Sequence, residues 1–265
     1  MVEFFCCAEP VFKLQFYSSC AVFLCYQLVG NHMVVPVDVE LVAQNADKAS
    51  KRGDLVIVID LVRATTSIIT ALSNEAKSVI PVQTVKEAMQ LRRKHPDYLL
   101  VGEREGVKPK GFDLDNSPLS LTKEKVEGKN LIMSTTNGTK ALVRSKGSKW
   151  VLVGAFVNAD AVAKKSIEIT SKNNVGISFV LAGQKNHFAL EDFICAGGII
   201  DRLPKGAVEF SDKALGALLA YNGAKHNLQE NIRKSKHSQE LLKIGFGKDI
   251  EFACQIDLYS IVPYY

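Results

Sequence analysis

Three observations place this chain in the α/β class, as three layers in which helices cover both faces of a largely parallel or mixed central sheet. Short β-branched apolar runs recur along the sequence, helical patterns fill the gaps between them, and nearly every run ends in a polar cluster. Strands that alternate with helices pair in parallel and are covered on both faces, so they read as unbroken apolar runs. The 265 residues are 47% hydrophobic and 23% charged, an ordinary globular composition that excludes disorder, collagen-like repeats and coiled coil.

The first strand is LVIVID at 55–60, and the helix-like TTSIITALS follows at once. SVIPV at 78–82 is the second; Thr84 and Glu87 then form a capping box that opens a helix running through Arg93. YLLVGE at 98–103 is the third and leads into a polar loop from Arg104 to about Leu121. NLIMSTT at 130–136 is the fourth, passing through Asn137-Gly138 into a helix near Ala141. WVLVGAF at 150–156 and VGISFVLAG at 175–183 bracket a helix over 158–172, and further helical patterns cover 189–202 and 214–233. No repeat, low-complexity tract or linker interrupts 33–265, which is therefore expected to form a single domain.

Residues 1–32 differ from the rest. They hold four of the six cysteines (Cys6, Cys7, Cys20, Cys25) and seven of the 21 aromatics. Glu3 and Glu9 precede the first basic residue, Lys13, which is the wrong sign for a secretory signal, and Lys13, Gln15, Ser18, Ser19 and Gln27 interrupt the apolar run. The expectation is a non-native N-terminal extension outside the domain, with Met33 as the real start; an added packed element and a membrane anchor are the alternatives. A cytoplasmic protein follows from the first reading.

Net charge is +5, but the 33 basic residues are scattered among 28 acidic ones without a run of five, so a nucleic-acid partner is not expected. The polar clusters sit where open α/β sheets bind ligands, at the carboxyl ends of strands. They comprise Asp60 with Arg63, Thr65 and Thr66; Glu103 with Arg104; and 134–139, with Asn158 and Gly183 behind other strands. Backbone N–H groups after Asn137-Gly138 would suit phosphate or sulfonate oxygens, although helix capping explains Thr135 and Thr139 equally well. Neither glycine-rich nucleotide motif is present, nor a Cys-x5-Arg phosphatase loop. Asp60, Glu103, Asp113, Glu191 and Asp192 are hard oxygen donors that suit Mg²⁺ better than zinc, and no Cys/His pair has zinc spacing. Cys195 and Cys254 read as buried thiols, His187 as a solvated loop residue, and no role is assigned to His237 or the other histidines.

Taken together, VIDLVRATTSIITAL at 58–72, VGEREG at 101–106, GFDLDNSP at 111–118, STTNGTKAL at 134–142, VGAFVNA at 153–159, LAGQKNHFALEDFICAGGIID at 181–201 and GKDIEFACQIDLYSIVP at 247–263 resemble the 2-phosphosulfolactate phosphatase family of coenzyme M biosynthesis. The resemblance is collinear from about residue 35 onward; Asp115 stands where the family pattern usually carries glycine. It implies a Mg²⁺-dependent phosphatase that converts (R)-2-phospho-3-sulfolactate to 3-sulfolactate and phosphate. On this chain it implies Asp60, Arg63 and Asp113 as catalytic residues and Glu103, Glu191 and Asp192 around the metal. Thr65, Thr66, Arg104, Asn116, Thr135, Thr136, Asn137, Gly138 and Thr139 would meet the substrate, a small phosphorylated sulfonate. Arg63 and Arg104 are expected to grip its oxyanions bidentately. Asp60 aligns or deprotonates water, ligates the metal, or attacks phosphorus itself. Another 2-hydroxy acid phosphate as substrate, or a non-catalytic anion-binding protein, are the rival readings, and a homodimer is left open.

Overall fold

Among the described residues, 34–265 of the computed structural model, eight strands pair entirely in parallel and divide between two sheets. The expectations for 1–32, and for Met33 as a start, lie outside the described residues. The larger sheet contains β1 (Val35–Glu40), β2 (Leu55–Ile59), β6 (Val151–Val153), β7 (Ile177–Leu181) and β8 (Val208–Phe210), in the order β6-β2-β7-β1-β8. The smaller one contains β3 (Ser78–Pro81), β4 (Leu99–Gly102) and β5 (Asn130–Ser134), in the order β3-β5-β4.

The central strands β2 and β7 are buried at every position, as their unbroken apolar sequences require, with Leu55 opposite Ile177 and Ile59 opposite Leu181. β1 and β8 were not visible in the sequence. Pro36 interrupts the first, and the second is three half-exposed or exposed residues long. Asp38 and Glu40 of β1 have cationic partners from elsewhere in the chain, Lys213 at 3.0 Å and Arg52 at 3.0 Å respectively.

The helices are α1 (Ala46–Arg52), α2 (Ala64–Ser73), α3 (Val85–Lys94), α4 (Lys123–Val126), α5 (Gly138–Arg144), α6 (Ala159–Asn173), α7 (Leu190–Ile200), α8 (Asp212–Ala224), α9 (Leu228–Arg233), α10 (Lys236–Lys243) and α11 (Gly247–Ala253). Helices flank the parallel sheets, the expected α/β/α arrangement. α2 runs from β2 of one sheet to β3 of the other, packs on β3 and on β6, and buries every residue from Ala64 to Leu72. A continuous core joins the sheets, with Ile57 and Phe179 in the same cluster as Val79, Leu131 and Met133. A second small cluster, Ala88, Leu100, Phe112 and Ile132, lies between α3 and the smaller sheet.

The Thr84 side chain caps α3 by accepting from the Glu87 N–H at 3.1 Å, and the Glu87 carboxylate accepts from Gln83 rather than from Thr84. The single helix expected over 214–233 is broken at Lys225–Asn227, where the Asn231 amide donates to the Ala224 and Asn227 carbonyls. α7 and α8 approach so closely that a Cβ on Gly197 would lie 2.0 Å from the Ala217 carbonyl oxygen.

Candidate active site

The carboxyl ends of β2, β4, β5 and β7 open onto one cleft of about 260 Å³, closed on its remaining side by α10. Asp60 leaves β2 into it. The Asp60 main chain is fixed by Thr65, which bonds both its N–H (3.1 Å) and its C=O (2.9 Å), and Ala64 N–H donates to Oδ1 at 3.3 Å. Oδ2 faces Gly138, and a Cβ there would sit 2.6 Å away, so glycine is required for β5 and α5 to approach Asp60. Burial, together with the Glu103 and Glu191 charges, outweighs the pull of His237 and the Ala64 N–H and raises the Asp60 carboxyl to about 6.

Two matching turns form the walls. After β4, Arg104 and Val107 pair across Glu105 and Gly106; after β7, Gln184 and His187 pair across Lys185 and Asn186. Both central residues of each turn have positive φ, between 48° and 82°, the type I′ geometry of a two-residue hairpin. Glu105 and Lys185 thereby stand on the cleft. Glu103 anchors the first wall: its carboxylate accepts from the Gly106 N–H (2.8 Å), the Thr136 N–H (2.6 Å) and the Thr136 hydroxyl (3.1 Å). Asn137 accepts from the Lys185 N–H at 3.3 Å and ties the second wall to α5. Asn116 also lines the cleft, and among the described residues its buried Oδ1 has no hydrogen-bond partner.

Of the residues singled out in the sequence, Asp60, Arg63, Glu103, Asn116, Thr136 and Asn137 meet at this cleft. The others serve the framework. Thr65 and Thr66 are fully buried and return their hydroxyls to the carbonyls of Asp60 and Leu61, and Thr135 and Thr139 cap one another across the start of α5. Gly138 is a close-approach position beside Asp60 and Ala64. Arg104 does not reach the cleft, because its guanidinium is spent on the Ser134 carbonyl (3.0 Å) and hydroxyl (2.8 Å). Asp113 is likewise removed, fastening the following loop to β4 through the Leu100 N–H (2.7 Å) and to Arg92 (2.6 Å). Arg63 lines the cleft, but not as a free bidentate grip. It is bound to Asp249 at 2.9 Å and to the Gly106 carbonyl at 2.7 Å, with Phe246 stacked 4.2 Å below.

The two acids of α7 also sit behind the cleft surface. Asp192 accepts from the Leu61 N–H (2.8 Å) and the Gly183 N–H (3.2 Å), locking the ends of β2 and β7 together. Burial and the neighbouring Glu191 and Asp60 charges raise its carboxyl well above the ordinary range. Glu191 is 1% exposed and meets the His237 Nδ1 at 3.1 Å. His237, from α10, is on the cleft and was invisible to sequence reasoning, because its partner lies 46 residues away and nothing in KHSQE marks it. Asp115, the departure from the family pattern, accepts from the Ser117 N–H at 2.9 Å and shapes the loop beside Asn116.

The cleft is acid-rich: Asp60, Glu103, Glu105 and Glu240 face Lys185, His237 and an Arg63 already neutralised by Asp249. A family model described as 2-phosphosulpholactate phosphatase matches residues 41–265. The chain belongs to the 2-phosphosulfolactate phosphatase family. As a member of that family it is a phosphatase. A Clostridium beijerinckii relative, named a probable 2-phosphosulfolactate phosphatase, is 38% identical over 233 residues, 86% of this chain and 96% of the relative. Relatives of the same name from Thermotoga petrophila (40% over 207 residues, 78% of this chain and 87% of the relative) and Caldicellulosiruptor saccharolyticus (41% over 209 residues, 78% and 86%) are similar along most of their length. Among the described residues no helix is long and apolar enough to cross a membrane.

Proposed function

We propose that this phosphatase hydrolyses (R)-2-phospho-3-sulfolactate to 3-sulfolactate and phosphate with Mg²⁺, in the cytoplasm, as a step of coenzyme M biosynthesis. The observation that carries the reading is convergence. Five segments of the 2-phosphosulfolactate phosphatase pattern, scattered from 58 to 201, bring Asp60 and Arg63, Glu103, Asn116, Thr136 and Asn137, and Gln184 and Lys185 to one cleft. The two described cysteines, Cys195 and Cys254, are free thiols, which suits a reducing compartment.

The donor chemistry fits a hard divalent cation. A substrate bearing phosphate, sulfonate and carboxylate meets more acids than free cations here, and a divalent ion reverses that balance. Among the described residues no three His, Cys, Asp or Glu side chains form a ready-made cage, which favours Mg²⁺ held by one or two protein oxygens with water and phosphate completing its shell. Glu103 and the partnerless Asn116 Oδ1 are the donors we assign to it. When bound, the ion supplies charge neutralisation on the phosphoryl oxygens.

The protein's own residues do the rest. Asp60, near 6, is matched to accept a proton from an attacking water at neutral pH. Lys185, Asn137 and Thr136 orient the anionic groups. Phosphate release from 2-phosphosulfolactate by the full chain, with Mg²⁺ and then with EDTA, tests the reading: turnover that vanishes in EDTA supports it, and equal turnover in both removes the metal.

A further inference from the structure

We propose that His237 is the general acid of this reaction, protonating the leaving alkoxide from Nε2, and that Glu191 is the positioning residue that holds its ring. The proposal rests on the phosphatase reading above and adds a role to a residue outside every segment that carried it. His237 sits in the first turn of α10, a turn fixed by Ser235, whose buried hydroxyl accepts from the Ser238 N–H (3.2 Å) and bonds the Ser238 hydroxyl (2.9 Å). Its Nδ1 is 3.1 Å from Glu191 Oε1, while among the described residues Nε2 has no hydrogen-bond partner and the ring lines the cleft. Glu191 is 1% exposed, and among the described residues its Oε2 is buried without a partner. A buried carboxylate with one neighbour demands a cation there, and protonated imidazole meets that demand.

The chemistry needs such a group. The leaving oxygen of a 2-phospho acid is a secondary alkoxide, a poor leaving group unless it is protonated as the P–O bond breaks. In the balanced step, water oxygen bonds to phosphorus and gives a proton to Asp60. The P–O(alkyl) electron pair moves to the alkyl oxygen, which takes the Nε2 proton. Exchange with solvent then returns both side chains to their starting forms. Burial disfavours the imidazolium, and the Glu191 hydrogen bond and charge favour it. The charged groups around the ring are Glu191 on α7, Asp60 after β2 and Glu103 after β4. Glu240 lies on α10 itself and is bound by Gln184, and Lys185 and the paired Arg63 are on the same cleft.

The test is the kcat and KM of His237→Gln and Glu191→Gln against pH, with 2-phosphosulfolactate and Mg²⁺, on variants checked for folding by thermal melting. His237→Gln is expected to lose about 10²–10⁴-fold in kcat with little change in KM and to lose the basic limb of the profile. Glu191→Gln should keep most of its activity at acid pH and shift that limb downward. The His237 ring titration followed by NMR should shift down with it, whether or not this ester is the substrate turned over. A His237→Gln variant with raised KM and normal kcat would mean a static oxyanion contact and would overturn the acid role. An unmoved limb and an unmoved ring titration in Glu191→Gln would overturn the positioning role. A wild-type protein inactive on the ester defeats the substrate reading instead, while the NMR titration still decides whether Glu191 governs the ring.

Discussion

Asp60 carries the clearest signature of a group placed for chemistry at the expense of stability. Its carboxyl is raised from 3.8 to about 6, so its contribution to stability is fully present below about 3.8 and is lost as pH rises through 6. Above that the buried charge costs about 3 kcal/mol. Asp60→Asn keeps an acceptor for the Ala64 N–H and sheds the charge. The prediction is loss of turnover by about 10²-fold or more, with a melting temperature in EDTA that exceeds wild type at pH 7.5 and approaches it at pH 4. Arg63 predicts the opposite kind of result. Its ion pair with Asp249 is only 2–3% exposed on either side, so Asp249→Ala strands a buried guanidinium and should cost about 3–5 kcal/mol in denaturant melts. At this scale the sequence made the neighbourhood legible but not the assignments. Hydroxyls and arginines after a strand serve the backbone as readily as a ligand, and Thr65, Thr66, Thr139 and Arg104 went to the backbone.

Helices α7 and α8 show what glycine permits at the scale of elements. A Cβ on Gly197 would meet the Ala217 backbone first, which cannot swing away as the end of a flexible side chain would, so Gly197→Ala must push the helices apart. The predicted cost is about 1–3 kcal/mol or more, read as a lowered urea midpoint, while Gly223→Ala, which meets nothing within 4 Å, should be neutral or slightly stabilising. Elements with a strong period or an unbroken apolar run were legible: β2 and β7, the capped α3 and the long α6 fall close to where the sequence puts them. β1, β8, α10 and α11 were not. Pro36, three-residue length, or a short polar helix leaves no such pattern, and the two strands are held by long-range pairing instead.

The whole molecule joins two parallel sheets through α2 and a shared core, and the cleft lies where four strand ends from both sheets meet. Alternation of strands and helices reveals parallel pairing but not which strands share a sheet, so the division into two was hidden while the carboxyl edge that carries the cleft was not. That edge is acid-rich, which supports the proposed metal-dependent hydrolysis of a multiply charged phosphate. The most direct test is phosphate release by the full chain from 2-phosphosulfolactate, with phospholactate and phosphoglycolate alongside, in Mg²⁺ and in EDTA. Turnover that requires Mg²⁺ and favours the sulfonate is expected. Undiminished turnover in EDTA, or a folded protein that leaves all three esters intact with Mg²⁺ present, would contradict it.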